Sequence, residues 1–157
     1  MAGTADGIDI RRIGPDELAT MDAMLTMFGE AFGDTEHYGA GKRPDAAYQR
    51  RLLGREHFIA IVATEGDRVV GGIAAYVLDK FEQARSEIYI YDLAVAETHR
   101  RQGIATAMIA EVQRIAADCG AWVIFVQADL ADPPAIALYG TLGRREEVLH
   151  FDIPPAA

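Results

Sequence analysis

A chain of 157 residues in which half the side chains are hydrophobic has the size and apolar content of one ordinary domain with its own core. Its formal net charge of −9, from 24 acids against 15 Lys and Arg, repels nucleic acid and anionic membrane and favours a polycationic partner, or else simply keeps the chain in solution. No apolar run reaches membrane-span length, residues 1–9 lack the charged and apolar regions of a leader, and the lone Cys119 excludes an internal disulfide, so a soluble, cytoplasmic, single-domain protein is expected.

After a tail over residues 1–7 expected to be frayed, residues 8–13 alternate weakly and predict a first strand. Pro15 opens a helix whose Leu18, Met21, Leu25, Phe28 and Phe32 recur at helical spacing and are read as its core face. A polar, glycine-containing loop over 33–43 and a shorter helix over 44–53 follow, with Asp34 and Glu36 read as residues that could close over a ligand. Residues 57–64 and 68–78 are β-rich and separated by Glu65-Gly66-Asp67, which reads as a hairpin turn. The strand 87–95 comes next, then a glycine turn, an amphipathic helix over 104–119 and a strand over 122–128 expected to be buried. Cys119 ends the apolar face of that helix and is read as a buried core thiol, not a nucleophile. Asp132 caps a short helix with Pro133 at its first position and Gly143 where it should stop; a last strand is predicted over 145–153, and residues 154–157 as a frayed end. The order β-α-α-β-β-β-α-β-α-β predicts an α/β (α+β) domain with a mixed, mostly antiparallel sheet flanked by helices.

Arg100-Arg101-Gln102-Gly103-Ile104-Ala105 is the most informative segment, because it joins a strand to a helix start. The first helical turn, here Ile104, Ala105 and Thr106, carries unpaired N–H groups and the positive end of the macrodipole. A glycine before it lets an anion approach the backbone, and two arginines add bidentate donors suited to a diphosphate. There is no P-loop and no dinucleotide-binding glycine pattern.

The segment resembles the R/Q-x-x-G-x-G/A signature of the GCN5-related N-acetyltransferases (GNAT), which hold the pyrophosphate of acetyl-coenzyme A; Ala105 stands at the signature's last glycine. A second motif of that family, N-x-x-A-x-x-L-Y-x-x-L-G, is matched at Ala135, Leu138, Tyr139, Leu142 and Gly143, with Asp132 where asparagine is common. The run Glu87-Ile88-Tyr89-Ile90-Tyr91-Asp92-Leu93-Ala94-Val95, the nearby Lys80-Phe81-Glu82 and the C-terminal residues 145–153 are similar to the aminoglycoside 3-N-acetyltransferases, the gentamicin acetyltransferases. The resemblance implies a GNAT domain over nearly the whole chain. It implies acetyl-coenzyme A as co-substrate with no metal, and an aminoglycoside acceptor inactivated by acetylation of its 3-amino group. It implies cofactor contacts from Leu93, Ala94 and Val95, from Arg100 to Thr106 and from Asp132; a homodimer is compatible with it.

Acetyl transfer to an amine needs a neutral amine, a stabilised oxyanion and a proton for the departing thiolate. Parity along 87–95 gives Asp92 the face of Ile88, Ile90 and Ala94, so its carboxylate must face a cavity as general base or ammonium anchor, cap a neighbouring turn, or be exposed by a bulge. Tyr139 reads from its helix as a core aromatic and from the family motif as the acid that protonates the thiolate. Glu87 and Asp129 are candidates for gripping ammonium groups. His150 and Asp152, on one face of the predicted last strand, read as acceptor-binding residues or as a solvated edge. No histidine has metal-site spacing, and no metal is expected. Two other readings stay open: acetylation of a different amine, such as a polyamine, an amino acid or a protein amine, and a non-catalytic coenzyme A-binding regulatory domain.

Overall fold

The computed structural model describes residues 6–157; residues 1–5 of the tail expected to be frayed lie outside them. Packing divides the chain into two compact units, one running to Gln127 and one from Ala128 onward.

The larger unit is built on a five-stranded sheet of order β1-β2-β3-β4-β5: β1 (Ile8–Arg12), β2 (Phe58–Glu65), β3 (Arg68–Asp79), β4 (Ser86–Val95) and β5 (Ala121–Val126). The first four pair antiparallel and β5 pairs parallel to β4, which is the mixed, mostly antiparallel sheet expected. Chain order puts α1 (Leu18–Phe32), α2 (Thr35–Tyr38) and α3 (Ala46–Leu53) between β1 and β2, and α4 (Ile104–Cys119) between β4 and β5. β2 is buried from Phe58 to Ala63 because both its faces are covered, and a strand covered on both sides reads as an unbroken apolar run.

The two covers can be told apart at the glycines of β3. A Cβ on Gly71 would meet Ile104 and Met108 of α4, and one on Gly72 would meet Met24 and Met27 of α1. The glycines give each helix room to lie close to the sheet. The α1 face is filled by Met24, Met27, Phe28, Leu53, Phe58, Ala60, Val62 and Ala94.

Four expectations need correcting here. The core face of α1 runs through Met21, Met24, Met27 and Phe28, while Leu25 is half-buried and Phe32 is 43% exposed: the helix is rotated so that the flexible methionines fill the space over Gly72. Cys119 is exposed, because the last turn of α4 runs past Ile115 and Ala116, where its buried face ends. β5 has no buried residue although all six are apolar; it is the edge of the sheet and its Trp122 is 53% exposed. The segment 33–43, read as a polar loop, contains the single turn α2, which Asp34 caps by accepting a hydrogen bond from the His37 amide at 3.0 Å.

In the smaller unit α5 (Pro133–Leu142) starts as predicted, with the Asp132 carboxylate accepting from the Ala135 amide at 3.2 Å and proline in its first turn. The strand predicted over 145–153 does not form. Its alternation is real, and it shows in the side-chain pairs between residues two apart, Arg145–Glu147 at 2.7 Å and His150–Asp152 at 2.9 Å. An extended segment becomes a strand only with a hydrogen-bonded partner, and residues 145–153 join no strand pair. Leu149, Phe151 and Ile153 are accordingly exposed. No helix among the described residues is long and apolar enough to cross a membrane.

Candidate active site

β4 changes character at Tyr91. Up to Ile90 it pairs on both sides, with β3 through Ile90↔Ala75 and with β5 through Ile90↔Val126. Beyond it β5 has no further partners on β4, and the register with β3 slips so that Asp92 opposes Ala74. The extra residue is Tyr91, a bulge that reverses the parity of the strand. Directly opposed residues share a face, so Ile88 and Ile90 lie with Val77 and Ala75 on the α4 side, while Asp92 and Ala94 lie with Ala74 and Gly72 on the α1 side. The parity argument made from sequence therefore holds for Ala94 and fails for Ile88 and Ile90. A bulge is present, but it does not expose Asp92: the carboxylate is turned toward α2 and half-buried.

Tyr38, the last residue of α2, donates its hydroxyl hydrogen to Asp92 Oδ2 at 2.7 Å. Burial pushes the Asp92 carboxyl above its usual range, with this hydrogen bond and the nearby His37 pulling it back only in part. Burial, and then the bond to Asp92, push the Tyr38 phenol well above its usual value, so it remains a proton donor to the carboxylate. The arrangement is a carboxylate held in one orientation, partly stripped of water, and more basic than a surface aspartate. Such a group can accept a proton from an ammonium or anchor one.

The second element of the site is the start of α4. Gly103 has φ +78° and Arg101 φ +62°, a left-handed pair that turns the chain sharply into the helix. Nothing lies within 4 Å of where a Gly103 Cβ would be, and no side chain caps the helix, so the first-turn amides of Ile104, Ala105 and Thr106 have no side-chain acceptor. Arg100, Arg101 and Gln102 are exposed beside them. Arg100 Nε donates to the Val95 carbonyl at 3.2 Å, which ties this loop to the end of β4 next to Leu93 and Ala94. The loop is also fastened from below: buried His99 contacts Thr98 Oγ1 at 2.7 Å through Nδ1 and Glu65 Oε2 at 3.0 Å through Nε2. First-turn amides, a helix dipole and two arginines are groups that could hold a diphosphate.

The remaining sequence candidates are distributed as follows. Glu87 lies on the same sheet face as Tyr89 and Asp92, and Lys80 bridges it at 2.9 Å and Glu82 at 3.0 Å, so an incoming ammonium must compete with Lys80. Asp129 Oδ1 accepts from the Ala131 amide at 2.9 Å and so shapes its own turn. The Asp132 carboxylate is engaged as the cap of α5. Tyr139 is half-buried on α5, and burial with the charge of Asp132 raises its phenol above the usual value. His150 and Asp152 are exposed and paired with each other. Asp34 caps α2, and Glu36 is exposed on it.

Sequence reasoning missed Tyr38, the placing of the bulge at Tyr91 and the His99–Glu65 fastening. Tyr38 had one signal: it is the aromatic at the end of a capped Asp34-Thr35-Glu36-His37 turn in an otherwise polar loop.

The chain matches the family described as Acetyltransferase (GNAT) family over residues 21–143. Among solved structures it is similar to an aminoglycoside acetyltransferase, HMB0005, from an uncultured soil metagenomic sample, with 59% identity, a TM-score of 0.92, and coverage of 95% of this chain and 99% of that one. It is also similar to the aminoglycoside acetyltransferase meta-AAC0020 of like origin, solved in complex with sisomicin, at 27% identity, a TM-score of 0.88 and coverage of 96% and 98%. Among curated proteins, N-acetyltransferase 8B of Rattus norvegicus is 30% identical over 90 residues, which are 57% of this chain and 40% of that protein. The chain thus spans about two fifths of the length of the curated relatives it matches.

Proposed function

Because the chain belongs to the Acetyltransferase (GNAT) family, we propose that it is a single-domain cytoplasmic enzyme that transfers an acetyl group from acetyl-coenzyme A to the 3-amino group of an aminoglycoside such as gentamicin. The observation that carries the acceptor is the identity, over nearly the whole chain, with an aminoglycoside acetyltransferase. The half-buried carboxylate of Asp92 and the net charge of −9 supply the matching chemistry for a polycation.

The residues at the start of α4 suit coenzyme A, whose diphosphate needs open space over Gly103 and the first-turn amides of Ile104, Ala105 and Thr106. Bound there, acetyl-coenzyme A supplies an acetyl thioester. Arg100, Arg101 and Gln102 would hold the diphosphate from the side, and backbone groups of Leu93, Ala94 and Val95, on the edge of β4 that β5 leaves free, would align the pantetheine arm and polarise the acetyl carbonyl. Asp92 accepts a proton from the acceptor ammonium, directly or through water, and frees the nitrogen lone pair. Tyr139, its phenol protonated at neutral pH, gives a proton to the departing thiolate. Glu87, Asp129, His150 and Asp152 are the further residues we assign to the acceptor.

The test is coenzyme A release by the purified protein with gentamicin, with the acetylated nitrogen located by NMR, alongside resistance of a susceptible host expressing the gene. Release with linear polyamines or peptide amines and none with gentamicin would replace this acceptor with another amine. Binding of acetyl-coenzyme A without turnover of any amine would leave the regulatory domain.

A further inference from the structure

On the Asp92 face of the sheet the aromatic side chains form a continuous row. Phe58 and Tyr76 have ring centroids 5.3 Å apart, Tyr76 and Tyr91 5.9 Å, Tyr91 and Tyr89 5.8 Å, and Tyr89 and Phe125 4.7 Å with planes within 9°. The row crosses four strands. It begins in the core at Phe58, which is 3% exposed, and emerges into solvent, with Tyr76 37% and Tyr91 62% exposed. The bulge makes this possible by keeping Tyr91 and Asp92 on one face in succession. Asp92 is close enough to raise the phenols of both Tyr76 and Tyr89, though burial contributes more. Glu87 lies on this face as well, beside Tyr89.

A row of tyrosines with water over it contributes little to a core. Held ring against ring, the side chains are already ordered, so a ligand that lies on them loses little further entropy. Their faces carry negative potential and their bodies are apolar. A saturated six-membered ring bearing ammonium groups fits both properties: one face of the ring is C–H, and the C–H groups beside a charged nitrogen are electron-poor. Its ammoniums need carboxylates at the rim, and Asp92 and Glu87 occupy the rim. A linear polyamine has the charges without the flat apolar face.

We propose that Tyr76, Tyr91, Tyr89 and Phe125 form the acceptor platform, on which the rings of an amino sugar or aminocyclitol stack while Asp92 and Glu87 receive their ammonium groups. The platform selects ring polycations over linear ones. It rests on the reading of the protein as an aminoglycoside acetyltransferase and assigns that reading a specificity surface.

The experiment compares gentamicin with spermine on wild type, Tyr91→Leu, Tyr91→Phe and Tyr76→Leu, reading steady-state constants and calorimetric affinity. Tyr91→Leu keeps apolar bulk at an exposed position and removes the ring. It should raise the gentamicin KM and Kd by roughly three- to thirtyfold, the equivalent of one ring contact to a cationic ligand. The loss should fall on the gentamicin KM and Kd more than on kcat, and the acetyl-coenzyme A KM and the weak spermine affinity should stay unmoved. Tyr91→Phe should restore most of the loss, and Tyr76→Leu should reproduce it more mildly. Gentamicin constants unchanged in both leucine variants, in a wild type that does acetylate gentamicin, would overturn the platform and leave the function standing. A wild type inert to gentamicin would overturn the function instead. The platform is then judged by whether the ring protons of glucosamine shift upfield on binding and lose that shift in Tyr91→Leu, and no shift in the wild type would overturn it too.

Discussion

The first half of β4, from Ser86 to Ile90, has a neighbour on each edge and follows a strict alternation of buried and half-buried residues, whereas the second half, from Tyr91 to Val95, has β3 alone and opens with a bulge. Ile88 and Ile90 in the first half are almost wholly inaccessible; Tyr91 in the second is mostly exposed, and Asp92, Leu93 and Val95 are only half-covered. The first half is committed to holding the sheet together. The second keeps backbone groups and a carboxylate available. A strand that stays regular can only stabilise, because every polar group on it already has a partner; chemistry becomes possible where the ladder is broken while the same strand is anchored a few residues away.

That contrast can be tested by damaging each half separately. Ile90→Ala, in the anchored half, should show the largest effect, a loss of about 2–5 kcal/mol of stability in denaturant unfolding. Turnover per folded molecule should stay near wild type. Gly103→Asp attacks the loop tied to the open half. It sets a side chain and a negative charge where the diphosphate would lie, and should weaken acetyl-coenzyme A binding by about a hundredfold or more by calorimetry in a protein that still folds. Unchanged binding would remove the diphosphate seat from the start of α4.

Tyr139→Phe should lower kcat by roughly ten- to a hundredfold with acetyl-coenzyme A affinity retained, within reach of one acid group. Normal kcat with a lower melting temperature would return Tyr139 to a packing role. Tyr38→Phe is the smallest and most pointed change. The Tyr38 hydrogen bond lowers the Asp92 carboxyl, so removing it lets burial push that carboxyl higher still. The acid limb of kcat/KM should move to higher pH, so the loss of activity should be greatest on the acid side of that limb and smallest on the plateau above it. A limb that stays in position would detach Tyr38 from Asp92.

Apart from the single turn α2, the element order up to α5 and the helix starts at Ile104 and Pro133 were legible in the sequence because caps, glycines and local periodicity set them. The position of the bulge was not, since alternation along β4 continues through Tyr91 and the slip exists only in the register with β3. The rotation of α1 toward Met24 and Met27 was illegible for a similar reason: it depends on a glycine, Gly72, far away in the chain. Residues 145–153 show the opposite error, an alternating segment that reads as a strand and lacks a ladder partner. Asp92 was found for a partly mistaken reason, and Tyr38 was missed because its role comes from a contact across 54 positions of sequence.

We propose that Asp92, turned by the bulge and held by Tyr38, removes the proton from the acceptor amine. The pH dependence of kcat/KM for gentamicin, measured in wild type and in the nearly isosteric Asp92→Asn, tests it most directly. Burial raises this carboxyl, and the base works only when deprotonated, so wild-type activity should rise with pH along a limb placed above the usual carboxylate range. In Asp92→Asn most activity and that limb should vanish together while acetyl-coenzyme A still binds. An Asp92→Asn enzyme that keeps both its rate and its acid limb would show that Asp92 is not the base.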